Sequence, residues 1–206
     1  VDIVAENEAD ATAVAKKLLG YFQGTLDDWS CSDQTSLRDI VPGNRRRAYP
    51  VRRVIELLAD VDSFIELRRA YGPSVVTGFF RLEGKPAGLI ANDCMQLSGA
   101  VDAEGADKAT RFLQICDAFE LPIISLTDTP GFMVGPDSEK QGAVRRMSSL
   151  FVAGARMTVP IVAIFLRKGY GLGAMAMAGG SFATPVYSAA WPTGEFGGMG
   201  LEGAVR

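Results

Sequence analysis

From Pro73 onward, short apolar runs rich in β-formers alternate with stretches of helical period, and this alternation most constrains the fold of the chain. Residues 75–82 and 86–90 are β-rich and flank Glu83-Gly84-Lys85, a hairpin signal. Residues 106–119 have helical period, 121–127 form a short apolar strand, 138–157 read as one long helix and 159–166 as a second buried strand. Residues 171–180 are small and helical, and 182–187 are β-like. Strands alternating with helices predict an α/β core with parallel pairing.

Upstream the pattern is looser. Residues 1–24 begin apolar, turn acidic, and then show helical period through Ala11, Val14, Ala15, Leu18 and Leu19. Residues 25–50 are polar and irregular, with Pro42-Gly43-Asn44 followed by Arg45-Arg46-Arg47, and read as a linker or arm. Residues 51–70 show helical spacing twice, through Val54, Leu57 and Leu58 and then Phe64, Ile65 and Leu67. Asp62 is placed to cap the second of these helices. The expected division is 1–24, 25–70 and 71–206.

Composition removes several chemistries. The 206 residues include no histidine, which excludes Ser-His-Asp and Cys-His catalysis and every histidine-containing zinc site. Cys31, Cys94 and Cys116 lie far apart, with no Cys-x-x-Cys pair, so neither a zinc ribbon nor a disulfide framework is expected and a reducing, cytoplasmic setting is. The 21 basic and 24 acidic residues give a net charge of −3, which argues against a nucleic-acid partner. No run of 18 apolar residues predicts a membrane span. The chain starts at Val1, with no signal peptide, and stops at Arg206 with no stop signal, so a piece of a longer polypeptide is expected.

Two segments could hold chemistry. Gly169-Tyr170-Gly171-Leu172-Gly173-Ala174-Met175 follows a strand and opens a small-residue helix. Main-chain N–H groups at such a start have no intrahelical acceptor, the helix dipole adds positive potential, and glycine lets a ligand oxygen come close. Such a turn can stabilise a developing negative oxygen or bind phosphate. It can equally be a tight strand–helix turn with close packing. Gly171-Leu172-Gly173-Ala174-Met175-Ala176 also fits the G-x-G-x-x-A dinucleotide fingerprint. The acid that fingerprint needs would be Glu195, which lies in turn chemistry after Trp191-Pro192-Thr193-Gly194, and Arg167-Lys168 intervene before the glycines.

The second segment is Asp128-Thr129-Pro130-Gly131-Phe132, at the carboxyl end of a buried strand, where open α/β sheets place ligands. A plain connector with Phe132 packed down is the alternative. Asp128 has no second carboxylate at chelating spacing, so no metal site is expected. Arg145-Arg146, Asp107-Lys108 and Glu139-Lys140 read as solvated charges, Arg45-Arg46-Arg47 as a solubility or subunit-contact feature, and Met175 and Met177 as core or pocket lining.

These residues together resemble a family. The run from Val76-Thr77-Gly78 through Gly84-Lys85-Pro86 to Asn92 is similar to the start of the C-terminal half of a biotin-dependent carboxyltransferase. So are Asp107-Lys108-Ala109 with Arg111-Phe112, Cys116-Asp117-Ala118-Phe119, and Asp128-Thr129-Pro130-Gly131-Phe132 with Gly135, Glu139 and Gly142. Tyr170-Gly171, Ala190-Trp191-Pro192 and the run Met199 to Val205 extend the resemblance, and Asp39-Ile40-Val41-Pro42 through Tyr49, Val51-Arg52 and Asp60 resembles the bridge between the family's halves. The relatives are the β subunits of propionyl-, acetyl- and methylcrotonyl-CoA carboxylases.

The resemblance implies a crotonase-like spiral of ββα units. It implies transfer of carboxylate from carboxybiotin, held on a separate carrier domain, to the α-carbon of a short-chain acyl-CoA. In the family carbon dioxide is released, biotin N1 removes the α-proton, and the acyl enolate attacks. Two oxyanion holes of backbone amides stabilise the ureido oxygen and the enolate, each donor contributing about 3 kcal/mol to transition-state stabilisation. No side-chain base is required, in keeping with a chain that lacks histidine.

Carried over by position, the C-half hole falls on Gly171, Leu172 and Gly173, with the amides of Leu172 and Gly173 foremost. Tyr170, Ala174 and Met175 border it, and Pro130, Gly131 and Phe132 line the same cleft. Met175 stands where some propionyl-CoA-type relatives have an aspartate that helps set acyl choice. The family commonly has histidine at the position of Arg146, and it continues beyond Arg206. Its acyl-CoA site and second hole come from an N-terminal half, whose last strand and helix correspond to residues 1–23. The chain is therefore expected to be half of a site and inactive alone. Expected partners are a biotin carboxylase and carrier, acyl-CoA, and further copies in a dimer or a hexamer of stacked dimers. A decarboxylase running the transfer backwards and a non-catalytic scaffold remain the alternatives.

Overall fold

The computed structural model describes residues 1–44 and 46–200. Its centre is the expected hairpin, β2 (Val75–Leu82) antiparallel to β3 (Lys85–Asn92), with Val75 opposite Asn92 and Leu82 opposite Lys85. The two-residue turn has positive φ at both positions, 50° at Glu83 and 76° at Gly84, the mirror-image turn whose twist suits a hairpin. The strain of a left-handed glutamate is offset by Asp60, whose carboxylate accepts from the N–H of Glu83 at 2.9 Å and of Gly84 at 2.8 Å. On the outer edge β1 (Ile65–Leu67) pairs antiparallel with β2.

On the other edge the sheet is parallel, as the strand–helix alternation predicts. Helix α4 (Ala103–Ala118) crosses from β3 to β4 (Ile123–Thr129), and α5 (Pro136–Lys140) with α6 (Ala143–Arg156) crosses from β4 to β5 (Ile161–Tyr170). The outer side of β5 is shared end to end. β6 (Tyr187–Ala190) pairs along residues 162–165, and β7 (Glu195–Gly197) pairs along Lys168 to Tyr170. Helix α7 (Gly171–Met177) starts where β5 stops. Among the described residues the remaining helices are α1 (Glu8–Gly20), α2 (Leu37–Ile40), α3 (Val51–Leu58) and short 3-10 turns.

Period-two alternation builds two cores, one on each face of the sheet. Val75, Phe79, Ile90, Ile123 and Ile161 join Ala109, Phe112 and Leu113 of α4 and Met147 and Leu150 of α6. Val76, Phe80, Leu89, Leu126 and Leu166 join Val51, Val54 and Ile55 of α3. Burying one such side chain contributes about 1.5–3 kcal/mol, so the two-sided strands anchor both layers. The N-terminal segment docks on the first core, where Tyr21 stacks on Phe79 with ring centroids 5.6 Å apart.

Several expectations change. The second helix of 51–70 is the strand β1, and Asp62 lies in a turn at φ 58° rather than at a helix cap. Ile65 and Leu67 enter the core while Glu66 between them pairs with Arg52, a period of two that three residues cannot announce. The long helix 138–157 is two helices, because Gly142 adopts φ 68° between them and turns the chain. The strand placed at 182–187 begins only at Tyr187, beyond Pro185. Lys108, read as a surface charge, is 1% exposed, because it lies on the buried face of α4, within reach of the Glu66 carboxylate of β1. Leu201 to Val205 and Arg45, quoted above, lie outside the described residues.

Candidate active site

The carboxyl ends of β4 and β5 bring the two motif segments together. After Thr129 the chain turns at Pro130-Gly131, with Gly131 at φ 128°. The Thr129 hydroxyl fixes this turn, donating to the Gly131 carbonyl at 3.0 Å and accepting from its N–H at 3.1 Å. After Tyr170 the chain turns at Gly171, φ 57°, into α7. Gly173 lies against Gly131 so closely that a β-carbon there would be 2.6 Å from the Gly131 carbonyl carbon. A β-carbon on Gly171 would be 3.0 Å from the Gly198 carbonyl oxygen. Three glycine-bearing segments thus meet without side chains between them.

In front of them is a cleft of about 430 Å³. Its wall includes Pro130, Gly131, Phe132, Gly171 and Leu172 from the two predicted segments, Leu172 being 62% exposed. The other predicted residues stand behind that wall. Tyr170 is buried and donates its hydroxyl to Glu195 Oε2 at 2.6 Å, Gly173 and Ala174 are buried, and Met175 is half-buried. Sequence reasoning missed Val144, Met147, Ser148 and Phe151 on the opposite side. Their i, i+3, i+4, i+7 spacing on α6 was the available signal, an apolar stripe left partly unburied. It also missed Gly198 and Met199. Among the described residues no ionisable side chain lines the cleft, so any charge developing inside would be met by main-chain dipoles.

The dinucleotide reading loses one objection and keeps another. β5 does run to the glycines, ending at Tyr170. Glu195, however, begins a strand instead of ending one, and its carboxylate accepts the Tyr170 hydroxyl. A larger cavity of about 790 Å³ lies between α1, residues 23–30, residues 60–63 and Arg81. Among its polar groups, Lys17, Arg81 and Asp60 are already engaged. Lys17 donates to the carbonyls of Asp62 and Phe64, Arg81 to those of Gly20, Gly24 and Gly84, and Asp60 holds the 83–84 turn. No cluster of three His, Cys, Asp or Glu side chains among the described residues is placed to hold a metal ion. No helix of the described residues is long and apolar enough to cross a membrane.

Behind the cleft Asp128 is fully buried, neither a ligand of the cleft nor a connector. It accepts from the Tyr49 hydroxyl at 2.9 Å, from Arg167 Nε at 2.9 Å and from the Lys168 N–H at 3.1 Å. Arg167, 2% exposed, lies over the Tyr49 ring at 4.6 Å and donates to the Arg47 carbonyl at 2.7 Å. Burial and the adjacent Asp128 push the Tyr49 phenol up, so it stays a neutral donor. Arg146 pairs with Asp107 at 3.3 Å on the surface.

Comparison with known proteins places this geometry. The carboxyl transferase domain family matches residues 1–206, the whole chain. A solved single-chain, multi-domain long-chain acyl-CoA carboxylase is 61% identical with a TM-score of 0.98, and covers 100% of this chain, which is 21% of that one. The transcarboxylase 12S crystal structure, a hexamer with methylmalonyl-CoA and methylmalonic acid bound, is 34% identical with a TM-score of 0.89, over 100% of this chain and 42% of that one. The biotin-dependent acetyl-/propionyl-coenzyme A carboxylase beta6 subunit of Mycobacterium tuberculosis is 39% identical over 98% of this chain and 44% of its own length. The chain spans about two fifths of the first curated relatives it matches, 42% and 41% of their lengths. The fold is crotonase-like α/β, as in the transcarboxylase and carboxylase β subunits. A match over the full length, with both glycine segments meeting at one cleft, establishes that the chain belongs to the carboxyl transferase domain family.

Proposed function

We propose that this chain forms the biotin-side half of the carboxyltransferase site of a biotin-dependent acyl-CoA carboxylase. The observation that carries the reading is the cleft wall, made of two glycine turns and apolar side chains with no ionisable group among the described residues. The bicyclic ureido ring of biotin fits such a wall, with apolar side chains against its hydrocarbon face and main-chain N–H groups for its carbonyl oxygen. When bound on its carrier domain, carboxybiotin supplies the carboxyl group. The amides of Leu172 and Gly173, with Gly171, hold the ureido oxygen as negative charge grows on it. Because these donors belong to a turn fixed by packing, they need no reorganisation as the charge develops. Phe132, Met147 and Phe151 exclude water, and Pro130-Gly131 shapes the wall beside the Gly171 turn.

Residues 1–23 are then the end of the half that binds acyl-CoA, and the site closes when that half of another subunit covers the cleft. A short-chain acyl group is what the sequence resemblance implies. The 61% identity to a long-chain acyl-CoA carboxylase favours a long-chain acyl group instead. The test is reconstitution of the full-length protein with biotin carboxylase, biotin carrier, ATP and bicarbonate, comparing palmitoyl-CoA with propionyl-CoA. ATP-dependent carboxylation, faster with palmitoyl-CoA, is expected. Decarboxylation of a dicarboxylyl-CoA without carboxylation in the presence of ATP would favour the decarboxylase, and no turnover in either direction the scaffold.

A further inference from the structure

Strands β4 and β5 do not stay in step to their ends. From Ile123 to Thr127 each residue of β4 faces the residue 38 positions later, but Thr129 faces Gly169, 40 positions later. Leu166, Arg167 and Lys168 therefore bulge opposite the single residue Asp128. Bulges of this kind re-aim the residues that follow them. Here those residues are Gly169, Tyr170 and the glycine turn, and just beyond Asp128 on the facing strand is the Pro130-Gly131 turn. Asp128 fills the bulge. Its carboxylate takes the Lys168 N–H at 3.1 Å and Arg167 Nε at 2.9 Å, and Lys168 Nζ lies 3.6 Å away. Tyr49, from the segment before α3, clamps the same carboxylate at 2.9 Å, and Lys168 Nζ donates to the Ser98 carbonyl at 2.6 Å.

We infer that Asp128, through the bulge it holds open in β5, is a positioning residue that sets the aim of the Gly171–Gly173 amides at the cleft. The inference rests on the proposed carboxyl transfer. Asp128 touches no cleft atom, so it acts only through Arg167, Lys168 and the chain that follows. Gly173 packs directly on Gly131, so the two turns shift as one unit if the bulge relaxes. Small displacements of reacting geometry are costly, about 100-fold in rate for 1 Å.

The test uses the full-length protein with its biotin carboxylase and carrier, comparing wild type with Asp128→Asn and Tyr49→Phe. Kinetics are normalised to folded protein, and amide hydrogen exchange is followed over residues 169–173. Asp128→Asn is expected to lower kcat on the order of 30-fold with KM for acyl-CoA within about twofold, and to speed exchange at 171–173 about tenfold or more. Tyr49→Phe, which removes one donor and no charge, is expected to move both readouts in the same direction by about threefold. Wild-type kcat in either variant, or lost activity that merely follows lost folded protein, overturns the inference. If Asp128→Asn does not fold, Tyr49→Phe decides. If the wild type carboxylates nothing, the functional proposal fails, while unchanged exchange at 171–173 separately refutes the positioning role.

Discussion

Lys108 illustrates how far one side chain can depart from its sequence appearance. Beside Asp107 on a helix it reads as a solvated charge, yet it is buried on α4, and its Nζ has no hydrogen-bond partner among the described residues. Burial pushes its pKa down to about 8, with partial relief from the Glu66 carboxylate. The free lysine in an unfolded chain titrates near 10.5. Between about pH 8 and 10.5 the unfolded chain therefore binds more protons, and stability rises with pH through that window. Lys108→Met should be the more stable protein at pH 7, by on the order of 2 kcal/mol, and should lose most of that rise. Urea unfolding of both proteins from pH 7 to 10 measures it, and equal slopes would contradict it. Gly173 is the other decisive residue. Gly173→Ala would press a methyl group into the Gly131 backbone, costing about 1–3 kcal/mol of stability. In the full-length protein it should lower kcat by about 100-fold, read by steady-state carboxylation per folded protein. A Gly173→Ala enzyme with wild-type kcat would show that the contact is only packing.

Elements were legible where period and length agreed. The hairpin, α4, β4 and β5 follow from runs of five residues or more, and the parallel half of the sheet follows from their order. β1 was misread because Phe64, Ile65 and Leu67 fit both periods, and pairing with β2 decided between them. The break at Gly142 was visible as a glycine, but a glycine inside an amphipathic stretch does not announce a left-handed turn. The hairpin turn depends on a residue outside it. Asp60→Ala would orphan the N–H groups of Glu83 and Gly84 and should destabilise by on the order of 2–4 kcal/mol, measured by denaturant unfolding. A loss under about 0.5 kcal/mol would mean that the turn holds itself.

At the scale of the whole molecule, the two glycine segments were legible because each ends a buried strand. The α6 wall was not, since an apolar stripe facing a cleft looks like one facing a core. Nor was the Asp128 network, whose partners Tyr49 and Arg167 lie 79 and 39 residues away. The rim of the cleft keeps Val134, Val144, Leu172 and Met199 exposed, an apolar surface that suits a covering partner. Residues 1–206 alone should therefore show no carboxylation in the reconstituted assay, and measurable turnover would contradict the half-site. The central claim is that peptide nitrogens, not side chains, meet the developing charge. A crystal structure of the full-length protein with biotin tests it most directly. The account predicts the ureido oxygen about 2.7–3.1 Å from nitrogens within Gly171–Gly173, in the cleft between Phe132 and Leu172. Biotin bound elsewhere, or a ureido oxygen held by a side chain while those nitrogens face packed protein, would contradict it.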